Sequence, residues 1–169
     1  NHAIYYKINL ALIILNYHLL IVQDLCNAPQ GPERRNIWMS TVRLHHRQHL
    51  NTIEVRFADK QWQFGYEFWG EVRQLLICKH TLFALANICN AMCNNTAPFI
   101  IGSSCLGKKE ITVNLAQLFG KFITFGPGFS DKSSVSVLRM IVGGIESGTW
   151  VSLDRIDTFE LSTLSLLSE

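Results

Sequence analysis

Residues 102–109 read Gly-Ser-Ser-Cys-Leu-Gly-Lys-Lys, which meets the phosphate-loop pattern G-x-x-x-x-G-K-[ST] at every defined position but the last. The chemistry of such a loop is anion binding. Gly102 and Gly107 allow a tight turn that aims backbone N–H groups at phosphate oxygens, with Ser103, Ser104, Cys105 and Leu106 forming the loop interior between them. Lys108 is placed to reach the outer phosphates of a nucleoside triphosphate. The last position, where a hydroxyl would ligate Mg²⁺, is Lys109, and an ammonium has donors only and cannot ligate a cation.

Such a loop works between a buried strand and a helix. The apolar run Pro98-Phe99-Ile100-Ile101 is the expected strand, and Lys108 to Lys121 carries Ile111, Leu115, Leu118 and Phe119 at helical spacing. A second strand ending in an acid should complete the metal side. Trp150 to Asp154 fits, because it follows a helical pattern over Ser134 to Ser147 and a stop at Gly148. Asp154 is therefore the expected metal ligand, and Phe122 to Phe125 is a third strand candidate. Arg155, directly after Asp154, is a permanent cation.

Three blocks carry a more specific resemblance. Phe64-Gly65-Tyr66-Glu67-Phe68-Trp69-Gly70 resembles Y-G-Y-E-Y-L-G; Gly102 to Glu110 lies over G-P-A-G-T-G-K-T-E; and Ser147 to Arg155 lies over S-G-A-W-x-C-F-D-E. Trp38-Met39-Ser40-Thr41-Val42-Arg43 resembles W-L-S-Q-L-R, and Phe159 to Ser165 resembles the helix after the acidic strand. Together these make the stretch from Trp38 to Glu169, about three quarters of the chain, similar to the first AAA+ module of a dynein heavy chain with the end of its preceding linker. The resemblance implies an α/β fold, a partial AAA+ phosphate-loop module with a parallel sheet and flanking helices behind a helical linker segment. On that basis residues 1–60 are the end of the linker, mainly helical, and residues 61–169 are the N-terminal, incomplete part of the module.

The departures from the family pattern bear on function. Lys109 removes the Mg²⁺ hydroxyl, and Arg155 stands where the family has the Glu that activates water. Cys105 and Leu106 replace Gly and Thr inside the loop, and the adenine-side segment I-T-P-L-T-D reads Ile77-Cys78-Lys79-His80-Thr81-Leu82. Phosphoryl transfer depends on charge neutralisation and on positioning of the nucleophile, so no catalytic residue is assigned and hydrolysis is not expected. ATP or ADP remains a possible ligand, held by residues 102–109 with Lys109 and Arg155 standing in for Mg²⁺, or else the loop is an empty relic. The implied parent is a divergent heavy chain, of the kind called dynein heavy chain domain-containing protein, a pseudo-ATPase of microtubule-based movement. The alternative is an active ATP-hydrolysing motor subunit.

The resemblance implies as partners the rest of an AAA+ ring and, through the parent chain, dynein intermediate and light chains and microtubules, in the cytoplasmic cytoskeleton or a ciliary axoneme. A net charge of +2 does not call for nucleic acid. The cluster Arg43 to Arg47 is expected as a solvated helix, with His45 and His49 on one face. Five cysteines without framework spacing point to reduced thiols, and Cys89 and Cys93 should share a helix face as small hydrophobes. The N-terminal apolar stretch is interrupted by Lys7, Asn9, Asn16 and His18, too often to span a bilayer. It is read as a buried helix, ended by Asn27 to Pro32. With 48% hydrophobic residues and a mean hydropathy of +0.15, apolar surface is expected to lie exposed where further elements of the module would cover it.

Overall fold

The computed structural model describes residues 2–67, 78–126 and 134–168. The chain divides into two compact units, Asn1–Gly65 with Gly70–Phe119, and Tyr66–Trp69 with Gly120–Glu169.

The first unit begins with α1 (His2–Asn27) and α2 (Pro32–Met39). The break falls at the Pro/Gly segment as expected, and Pro32 opens α2, where a missing N–H costs nothing. α1 differs from expectation in its burial. Ile21 is buried and the Tyr17 hydroxyl donates to Val42 O, but Leu12, Leu15, Leu19 and Val22 are all more than half exposed. Periodicity makes the helix; burial needs a partner, and among the described residues none covers that side. No described helix is long and apolar enough to cross a membrane.

A three-stranded antiparallel sheet follows, β1 (Arg43–Arg47), β2 (Thr52–Phe57) and β3 (Lys60–Gln63), in the order β1-β2-β3. The helix expected over Arg43 to Arg47 is thus a strand. The cause lies next door: Ile53, Val55 and Phe57 alternate with polar residues, a half-buried strand pattern that needs a ladder partner, and β1 supplies it. The shared helical face of His45 and His49 disappears with the helix. His46 lies 3.2 Å from Asn51 Oδ1 across the turn, and His49 belongs to that turn.

Val55 and Phe57 anchor the sheet in the core of this unit. Trp62 meets Phe119 edge-on at 5.4 Å, and Gly65 N donates to Phe119 O, which ties the sheet to α4 (Lys108–Phe119). α3 (Lys79–Cys93) buries Leu85, Ile88 and Cys89, while α4 buries Leu115, Ala116 and Phe119. Burial pushes the Cys89 thiol up to about 12 and raises Cys93 as well, so both behave as small hydrophobes. The strand expected at Pro98 to Ile101 is not formed: Phe99 is 73% and Ile101 93% exposed. Apolar content favours a strand only where a neighbouring strand takes its hydrogen bonds.

In the second unit β4 (Ile123–Phe125) and β5 (Trp150–Ser152) form a parallel pair, Ile123 opposite Trp150 and Phe125 opposite Ser152. The connection carries α5 (Ser134–Ser147), which ends at Gly148 with φ +71°. A short 3₁₀ turn (Ile156–Thr158) and α6 (Leu161–Ser168) follow. This small parallel sheet with flanking helices is the α/β arrangement expected of a partial AAA+ module. Val137, Phe159 and Thr163 are buried in it. The Glu67 carboxylate bonds Lys121 Nζ and Phe122 N, and Glu67 N donates to Gly120 O, so the tyrosine-block segment is fastened to the chain entering β4.

Two adjacent glycines of α5 should respond oppositely to alanine. A Cβ on Gly144 would stand 2.2 Å from Val151 Cγ2, whereas one on Gly143 meets nothing within 4 Å. Gly143→Ala is expected to stabilise by about 0.5–1 kcal/mol through helix propensity, and Gly144→Ala to destabilise by about 1–3 kcal/mol through overpacking. Urea midpoints of the two variants check the opposite signs.

Candidate nucleotide site

The glycine loop leads directly into α4. Cys105 and Gly107 both adopt left-handed backbone, φ +62° and +71°. At Gly107 a Cβ would meet nothing, so glycine is required there for conformation and not for space. Cys105, with a Cβ, holds the same region at a steric cost. Ile111 N donates to Gly107 O at 3.0 Å, which sets the first turn of the helix. The loop therefore runs into the N-terminus of α4, the end of a helix that favours anions.

Lys108 is half-buried and folds back over the loop. Its Nζ donates to Gly102 O at 2.8 Å and to Ser103 O at 2.6 Å. The ammonium thus bridges the start of the loop to the start of the helix. Leu106 folds the same way, since a Cβ on Gly102 would lie 3.3 Å from Leu106 Cδ1. Ser103, Ser104, Cys105 and Leu106 are all exposed. Lys109 is exposed in the first turn of α4, where its carbonyl accepts from Thr112 Oγ1 at 2.8 Å. A cation at a helix N-terminus opposes the helix dipole, and Glu110 beside it has the favourable sign.

In the second unit Asp154 and Arg155 follow the carboxyl end of β5, the end at which open α/β sheets place ligands. Both are exposed. Arg155 has φ +54°, ψ +51° and caps the 3₁₀ turn, its carbonyl accepting from Thr158 N and Thr158 Oγ1. This backbone turn directs the chain away from β5 towards α6. Among the described residues no group of three or more His, Cys, Asp or Glu side chains is assembled for a metal.

The fit to a nucleotide divides by moiety. Phosphate suits the left-handed loop, the Lys108 ammonium and the α4 N-terminus. Mg²⁺ does not suit position 109, which has no lone pair to offer. On the adenine side, Ile77 lies outside the described residues, as do Phe68 and Trp69. Cys78 is the N-cap of α3, and Lys79 to Leu82 form its first turn. The pattern left unread in the sequence was this cap: Cys78 Sγ lies 2.9 Å from Thr81 Oγ1, and Cys78 N donates to the same hydroxyl at 3.2 Å.

A profile described as the hydrolytic ATP binding site of the dynein motor region matches residues 64–169. The chain belongs to this dynein family. It is 23% identical over 133 residues to the dynein gamma chain of the flagellar outer arm of Chlamydomonas reinhardtii, covering 78% of this chain and 3% of that one. It is 25% identical to human dynein axonemal heavy chain 8 over the same shares. With cytoplasmic dynein 2 heavy chain 1 of Tripneustes gratilla it shares 24% identity over 159 residues, 94% of this chain and 4% of the relative. The chain thus spans only a few hundredths of the length of these dynein relatives and diverges from them widely in sequence.

The Cys78 cap has a measurable consequence. The Thr81 hydroxyl, followed by the Thr81 N–H, holds the Cys78 thiol below its ordinary value, whereas burial raises Cys89 to about 12. A lowered thiol pKa means more thiolate at neutral pH and faster alkylation. Cys78 should be carboxymethylated first and Cys89 last at pH 7.5, and Thr81→Val should slow Cys78 several-fold; peptide mass mapping over time reads both.

Proposed function

We propose that this chain is the part of a dynein-type heavy chain that carries a degenerate first nucleotide site, one that binds nucleotide weakly or not at all and does not hydrolyse it. Lys109 carries the reading. It places a second ammonium where the metal ligand belongs, one residue from a lysine that already spends its protons on the carbonyls of Gly102 and Ser103. A triphosphate competes with those two oxygens for all but one of the three Lys108 N–H donors. When bound at such a site, Mg²⁺ neutralises the charge that develops between the outer phosphates. Asp154 is proposed as its ligand, and Arg155 cannot accept a proton from water.

In this reading residues 1–60 are the end of the linker and residues 61–169 the opening part of the module. The parent's ring, its intermediate and light chains and microtubules are the wider setting, in an axoneme or in the cytoplasmic cytoskeleton. The divergent family membership supports that setting, since the relatives are flagellar, axonemal and cytoplasmic dyneins by name.

Titration with fluorescent ATP and ADP, with and without Mg²⁺, alongside a phosphate-release assay, tests the site. The expected result is weak or absent binding indifferent to Mg²⁺ and no phosphate release. Lys108→Ala should abolish whatever binding is found. In the parent chain, Lys109→Thr with Arg155→Glu should restore Mg²⁺ dependence. Mg²⁺-dependent hydrolysis by the unaltered protein would overturn the reading in favour of an active motor subunit.

A further inference from the structure

β1 stands at the edge of the antiparallel sheet, and among the described residues its ladder runs on the β2 side only. An edge strand presents outward N–H and C=O groups that can accept another strand. Side chains alternate along it, so Arg43, His45 and Arg47 share one face and Leu44 and His46 the other.

On the first face guanidinium groups outnumber carboxylates: Arg43, Arg47 and Arg56 share Glu54 and the field of Asp59, and Arg43 also lies over the Trp38 ring and donates to Ala58 O. Arg43 stands directly opposite Arg56, a like pair across the ladder. Glu54, opposite His45, already takes Arg47 at 2.6 Å and Arg56 at 3.2 Å. The Nε atoms of Arg43 and Arg56 are buried without an acceptor. Burial, and then the neighbouring Arg56, hold the Arg43 guanidinium below its ordinary value, against the opposing pull of Asp59. On the second face Leu44 lies opposite buried Val55, yet is 54% exposed because the sheet ends there.

We propose that the free edge of β1 takes up an extended segment of a partner protein in which acidic and apolar residues alternate, adding it to the sheet as a fourth strand. Acids two residues apart, roughly 7 Å along a strand, line up beside Arg43, His45 and Arg47. The apolar residues between them cover Leu44. A second copy of this chain does not fit, because pairing β1 with itself in antiparallel register sets Arg43 against Arg47 and His45 against His45. The edge thereby discriminates against self-association while leaving an acidic strand the complementary partner.

The test compares two labelled peptides of identical composition on the unaltered 169-residue chain, one alternating Glu and Val, the other with the Glu residues in one block and the Val residues in another. Fluorescence anisotropy at low ionic strength should show the alternating peptide binding about tenfold more tightly, because only it meets charge and apolar faces in register. Arg47→Gln should weaken that peptide several-fold and leave the block peptide nearly unchanged, and the amide resonances of residues 43–47 should shift on binding. Equal affinity for the two peptides, or no binding of either, overturns the proposal. Tighter binding of a single-stranded oligonucleotide than of the alternating peptide also overturns it and assigns the face to nucleic acid. The peptide comparison uses the native protein and so stands even where the variant does not fold.

Discussion

The loop between Gly102 and α4 is held by one lysine. Lys108 has three N–H donors, and two of them go to the carbonyls of Gly102 and Ser103. That contact closes the loop on itself across the left-handed residues Cys105 and Gly107. The same protons are the ones a phosphate would need. Lys109 adds charge beside this contact without a lone pair that a metal requires.

The second unit follows from a different constraint, close packing of a helix on a very short parallel ladder. Gly144 lets α5 approach Val151 on β5, and Gly126 N bonds Ser152 O to extend the ladder by one residue. Glu67 secures the entry to β4 through Lys121 and the Phe122 amide. Asp154 and Arg155 are delivered by this small framework to the carboxyl end of β5. The framework of this unit is thus held where backbone approach and hydrogen bonding demand it.

The antiparallel sheet answers to charge as much as to packing. Its buried side is ordinary, with Val55 and Phe57 in the core. Its other side gathers arginines from two strands around Glu54 and leaves like charges facing each other at Arg43 and Arg56. Such an arrangement costs stability in isolation and gains it against an acidic neighbour.

The sequence by itself determined what depends on local order: the loop pattern at residues 102–109 with a lysine at its last position, the helix over Ser134 to Ser147 with its glycine stop, and the break between α1 and α2. These are properties of spacing and side-chain chemistry within a few residues, as are the blocks Phe64 to Gly70, Gly102 to Glu110 and Ser147 to Arg155 that carried the family resemblance. Only the tertiary structure decided which apolar runs are buried and which segments pair. Arg43 to Arg47 became a strand because Thr52 to Phe57 required a partner; Pro98 to Ile101 did not, because no described strand takes up its hydrogen bonds; and α1 formed without covering its apolar side. A helix satisfies its own backbone, but a strand and a core are completed by other parts of the chain, and that completion is not written in any one segment.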